Sequence, residues 1–185
     1  SSTHYISATT STWYVARSAS RATLRTLEEA SRNFESDESG LGEKWLNQLI
    51  KPGSSLGGAR PKATVVDTQD QLWIAKFPSK NDENDTGAWE MVVHDLASRC
   101  GLNVPEAKLE KFSSLGSTYL IKRFDRIRNK RIHFASAMTL LGKTDGASAE
   151  DGSSYLDIVA FIKSYGAQPR ADLLELWKRI VFNMA

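Results

Sequence analysis

GSSLGGARPKATVVDTQDQLWIAKF, residues 53–77, decides how the rest of the chain is read. It opens with three glycines and two serines in six residues, Gly53 to Gly58, and then passes Arg60, Pro61 and Lys62. Two apolar, β-branched runs follow, Ala63–Asp67 and Leu72–Phe77, separated by the polar Thr68–Gln71. Strand-like runs of this kind joined by a polar turn predict an antiparallel hairpin. A glycine-rich segment ahead of such a hairpin can lay backbone N–H groups around phosphates, because glycine permits close approach. The spacing fits neither a Walker A loop nor a Rossmann fingerprint. Taken alone, the signal is weak, because many Gly-Ser loops are only turns.

Working outward, Thr23–Phe34 carries Leu24, Leu27, Ala30 and Phe34 at helical spacing. Glu43–Ile50 predicts a second short helix, stopped by Pro52-Gly53. Residues 1–20 read as an irregular lead-in or a poorly anchored strand. Thr86–Cys100 predicts a helix with Trp89, Val92, Val93, Leu96 and Ala97 as its apolar face, capped by Gly101. Glu106–Phe112 and Ser117–Phe124 read as another strand pair, Arg126–Arg131 as a basic turn, and Thr144–Ser153 as a flexible connection. Tyr155–Tyr165 and Ala171 to the end are helical. The last helix is the most apolar of the chain, so burial between other elements is expected.

Composition is that of an ordinary globular protein: 185 residues, 41% hydrophobic, 25% charged, formal net charge +2. That charge points to neither nucleic acid nor a membrane surface. No run is long and apolar enough to span a bilayer. The single cysteine, Cys100, rules out an internal disulfide, suits a reducing cytoplasm, and reads as a small buried hydrophobe. His4, His94 and His133 show no metal-ligand spacing.

Lys76 is the informative residue. It sits between Ala75 and Phe77 in a strand, where a lysine is costly unless paired. Glu90 lies fourteen residues on, in the first half of the following helix. A strand lysine that holds nucleotide phosphates and pairs with a helix glutamate is the protein-kinase arrangement. The plainer alternative is a snorkelling lysine and a surface glutamate. Tyr119–Asp125, YLIKRFD, then stands where a kinase hinge would bind adenine.

The ordered set resembles the HipA family of bacterial serine/threonine kinases, the toxin halves of type II toxin–antitoxin pairs. The resemblance runs over residues 43–185. It is carried by SSLGGARPKA (54–63), LWIAKFPS (72–79), GAWE (87–90), GLNVPEAKL (101–109), IKRFDR (121–126), AMTLLG (137–142), SYLDIVAFI (154–162) and LWKRIVFN (176–183). It implies an α+β fold: a kinase-like small lobe over residues 43–125, after a lead-in and helix at 1–42, and the start of a helical large lobe at 126–185. Gly57, Gly58 and Ala59 would be the phosphate loop, followed by Lys62. Ser55, or the adjacent Ser54, would be the autophosphorylated serine. About two added negative charges there would repel nucleotide phosphates. Lys76 would hold phosphates with Glu90 as its partner. Lys122 to Phe124 would be the hinge, with Asp125 near the ribose; Lys122 stands where other members can carry glutamate. The cofactors implied are ATP and magnesium. The partners implied are a HipB-like DNA-binding antitoxin, through which any DNA contact would come, and a protein substrate. The family's catalytic loop, N-T-D-x-H-x-x-N, and its magnesium ligands are expected beyond Ala185. Asp145 cannot replace them, because Gly-Ala-Ser follows it. The chain alone is therefore expected to be inactive. A partner-binding, non-catalytic kinase lobe is the alternative.

Overall fold

The computed structural model describes residues 15–16, 20–36, 60–127 and 130–185. The fold is α+β, and the described residues divide into two compact units. One takes in the described residues up to Met91 together with Ala107–Arg123. The other comprises Val92–Glu106 and Phe124–Ala185.

The first unit is built on a five-stranded sheet. Its strands are β1 (Val15–Ala16), β2 (Lys62–Val66), β3 (Leu72–Lys76), β4 (Ala107–Glu110) and β5 (Thr118–Lys122), in the order β1-β2-β3-β5-β4. β1 runs parallel to β2, and every other pairing is antiparallel. Both expected strand pairs are present. The β2–β3 turn is closed by Asp67, whose Oδ1 accepts the amides of Gln69 and Gln71 at 2.8 and 2.9 Å. Asp70 takes the left-handed conformation there, φ 57°, which a short polar side chain tolerates.

Strand alternation gives this sheet two different faces. Ala63, Val65, Trp73, Ala75 and Leu120 lie on one and form the core with Leu24 and Leu27 of α1 (Arg21–Ser36). Phe77 joins them just past β3. Each large side chain buried there contributes about 1.5–3 kcal/mol. Among these apolar groups the buried Glu28 accepts a hydrogen bond from the Thr118 hydroxyl at 2.6 Å. The other face carries Lys62, Lys76 and Tyr119, which stand in one row across β2, β3 and β5.

The helix α2 (Thr86–Arg99) starts in the first unit. Asp85 caps it, its Oδ1 accepting the Ala88 amide at 3.0 Å and the Ser117 amide at 2.9 Å. Gly87 touches the backbone of Ser117: a Cβ there would stand 2.0 Å from the Ser117 carbonyl oxygen. This contact sets the rotation of the helix and corrects the expected apolar face. Gly87, Glu90, His94 and Ala97, spaced to share one side, turn inward. Of the expected five, only Ala97 is buried, while Trp89, Val92, Val93 and Leu96 are exposed. Cys100 is exposed too, contrary to expectation, because it lies one turn beyond Leu96 on the same outer side.

The second unit holds a two-stranded hairpin, β6 (Arg126–Ile127) and β7 (Lys130–Arg131), where a basic turn was expected. Three helices follow: α3 (Ala137–Leu141), α4 (Tyr155–Tyr165) and α5 (Pro169–Met184). The Thr144–Ser153 connection is more ordered than its composition implies. A 3-10 turn at Ala149–Asp151 is closed by a capping box between Ser148 and Asp151 and by a left-handed Gly152. The helix α5 is not buried. Its polar residues hold the loop after α2 instead: Asn103 N donates to Glu175 at 3.0 Å, and Arg179 donates to the Asn103 carbonyl at 2.6 Å. Leu174, Trp177, Val181 and Met184 remain exposed. The expected Glu43–Ile50 helix lies outside the described residues.

Candidate functional site

The polar row of the first unit is the candidate site. Lys62 and Lys76 are direct cross-strand partners in the antiparallel ladder, and Lys76 in turn faces Tyr119. Like charges placed opposite one another destabilise a sheet, so the doublet calls for an anion. Glu90 supplies one: its Oε2 lies 2.5 Å from Lys76 Nζ. The ammonium also stands 5.5 Å from the centre of the Tyr119 ring.

The glutamate does not neutralise the pair. Lys62 is buried, at 5% exposure. Its pKa is held below the ordinary lysine value, by burial first and by the Lys76 charge second, with Glu90 pulling the other way. Among the described residues this face carries two lysines and one carboxylate, a balance that a phosphate chain would suit.

Of the other sequence-predicted residues, Lys122 closes β5 opposite Trp73, which places it on the core side of the sheet, away from the Lys62–Lys76 row. A hinge role for Lys122 would therefore run through its backbone. Phe124 and Asp125 belong to the second unit. The Phe124 ring is exposed and packs edge-on against Phe134 at 5.1 Å. Asp125 is buried; its carbonyl accepts the Ile132 amide at 2.9 Å, and its carboxylate lies 3.4 Å from Arg126 Nε. Gly57, Gly58, Ala59, Ser54 and Ser55 lie outside the described residues.

Two aspartates that the sequence reading left in a plain polar loop frame the site. Asp85, besides capping α2, accepts the Ser117 hydroxyl at 2.8 Å. Asp82 accepts a two-pronged bond from Arg60, both arms at 2.6 Å, and the Ser79 amide at 2.9 Å. Burial raises the pKa of each carboxyl, and the donated hydrogen bonds more than offset it, so both titrate below the usual aspartate range. The sequence signal for Asp85 was its place as an N-cap just before Thr86-Gly87. Asp82 had none beyond the short Ser79-to-Asp82 spacing. No group of three or more potential metal ligands occurs among the described residues, and no described helix is long and apolar enough to cross a membrane.

Comparison with known proteins adds one match. The family model of the HipA-like C-terminal domain fits residues 54–185, well over half of the chain. No curated protein matches.

Proposed function

The chain belongs to the HipA-like C-terminal domain family, and on that premise we propose that it supplies the nucleotide-holding part of an ATP-dependent serine/threonine kinase toxin. The observation that carries the reading is the Lys76–Glu90 ion pair with Lys62 directly across the strand. Glu90 orients the Lys76 ammonium, and the two lysines provide charge-assisted donors for adjacent phosphate oxygens. ATP with magnesium would bring the transferable phosphoryl group. Gly57, Gly58 and Ala59 would add backbone donors, and Lys122 to Phe124 with Asp125 would meet the adenosine end. Ser55 or Ser54 would take the phosphate that silences the enzyme, since like charges within one pocket repel. A catalytic base and magnesium ligands are assigned to no residue of this chain. A HipB-like antitoxin and a protein substrate are the proposed partners, in a cytoplasmic setting.

A second reading, a kinase-lobe module that works by binding a partner, is favoured by the exposed stripe Trp89, Val92, Val93 and Leu96 on α2.

The test is ATP binding by Lys76→Ala. Affinity should collapse while the urea midpoint stays close to that of the unaltered protein, since Lys76 contributes charge and little packing. Unchanged affinity would remove the lysine from its assigned role.

A further inference from the structure

Lys62, Lys76 and Glu90 sit on three separate elements, and something must hold those elements in register. Lys62 opens β2, Lys76 closes β3, and Glu90 is one turn into α2. The hairpin ladder fixes the first two relative to each other, extended by the Phe77 amide donating to the Pro61 carbonyl at 3.1 Å. The ladder does not reach the helix.

The loop between β3 and the helix does, and Asp82 fixes it. The Asp82 carboxylate takes both arms of Arg60, two residues before Lys62, and the Ser79 amide, three residues after Lys76. Three residues further on, Asp85 caps α2. Arg60 extends the tie by donating to the Phe77 carbonyl at 3.3 Å. One largely buried carboxylate thus ties the approach to β2 to the loop that leaves β3, three residues ahead of the helix cap. Its side chain is only 11% exposed, so water competes poorly for these bonds. A planar guanidinium gripping both carboxylate oxygens fixes orientation as well as distance, which a lysine ammonium would not.

We propose that Asp82, clamped by Arg60, is a positioning residue of the lysine–glutamate cluster: it fixes the loop that leads from the hairpin into α2 and so works with the Asp85 and Gly87 contacts to Ser117 to let Glu90 meet Lys76 and to present the lysine doublet to phosphate. It touches no phosphate itself. The proposal rests on the nucleotide reading given above.

The experiment compares Asp82→Asn, Arg60→Lys and the exchanged pair Arg60→Asp/Asp82→Arg, with ATP and adenosine as probes and hydrogen exchange of the Thr86–Glu90 amides as a ligand-free readout. Asp82→Asn should weaken ATP binding at least about tenfold, leave adenosine binding unchanged, and speed exchange in the first turn of α2. Arg60→Lys, which keeps the charge and loses the fork, should also fall short of the unaltered protein. The exchanged pair should recover part of the ATP affinity, which a generally weakened fold would not do. Unchanged exchange at Thr86–Glu90 in Asp82→Asn overturns the clamp, whatever happens to ATP. Equal loss of ATP and adenosine binding overturns it as well, because that is the mark of a fold defect. Failure of the unaltered protein to distinguish ATP from adenosine would instead overturn the nucleotide reading beneath it.

Discussion

Gly87→Ala should be one of the most damaging single-methyl additions in the first unit. An alanine Cβ at this position would stand 2.0 Å from the Ser117 carbonyl oxygen and 2.9 Å from its carbonyl carbon. Both obstacles are backbone, so no side-chain rotation relieves them. The helix start must move by about 1.4 Å to bring the 2.0 Å approach to ordinary van der Waals contact at 3.4 Å. Overpacking of this kind costs about 1–3 kcal/mol. Alanine recovers at most about 1 kcal/mol through its better helix propensity. The shift also stretches the bonds from Asp85 to the Ser117 amide and hydroxyl, now 2.9 and 2.8 Å. A net loss of about 1–2 kcal/mol follows from these terms. Glu90 is three residues on, so the same movement lengthens its 2.5 Å contact with Lys76. Urea denaturation monitored by tryptophan fluorescence gives the stability, and ATP titration gives the effect on the site. A Gly87→Ala protein as stable as the original would refute the claim that close backbone approach sets the rotation of α2.

Other consequences follow from the charges. Lys62→Met should raise the stability of the nucleotide-free protein by about 0.2–1 kcal/mol by removing the cross-strand repulsion, and should weaken ATP binding at the same time; a denaturant melt paired with a titration reads both. Because Lys62 titrates below its ordinary value in the folded state, the cost of its charge is fully present below that folded pKa. Stability should therefore increase as pH rises through it, while affinity for phosphates falls over the same interval. At the acid end the sign is the reverse of a penalty. Asp82 and Asp85 have folded pKa values below their unfolded ones. Their contribution is complete above the unfolded value of about 3.9 and disappears as pH falls through the folded values. Urea midpoints between pH 5 and pH 2 should show this loss, and Asp82→Asn should flatten it.

The parts of this molecule that were legible in its sequence are those governed by local pattern. The two β-branched, apolar runs around the polar Thr68–Gln71 specified the hairpin, and with it the strand on which Lys76 stands. The fourteen-residue step to Glu90 was readable because a turn and one helical turn are all that intervene. What could not be read was set by contacts between distant backbones. The rotation of α2 depends on Gly87 meeting Ser117, thirty residues away, and hydrophobic spacing alone pointed to a different side of the helix that shares only Ala97 with the buried one. The position of Lys62 opposite Lys76 depends on register, which the loop length left open by a residue. Asp82 gained its proposed role from Arg60 and Ser79 together, a convergence that has no signature in a polar loop. The helix α5 misled for another reason. Its apolar content was plain, but its contacts with the 101–103 loop are made by Glu175, Lys178 and Arg179.

The most direct test of the central claim is the affinity of the protein for ATP, ADP, AMP and adenosine, measured by calorimetry in one buffer at fixed ionic strength. A face on which the described residues include Lys62, Lys76 and Glu90 predicts that affinity falls stepwise as phosphates are removed, and that the steps shrink in Lys76→Ala. Equal affinity across the four compounds would contradict the account, because the lysine doublet would then have no part in holding the nucleotide.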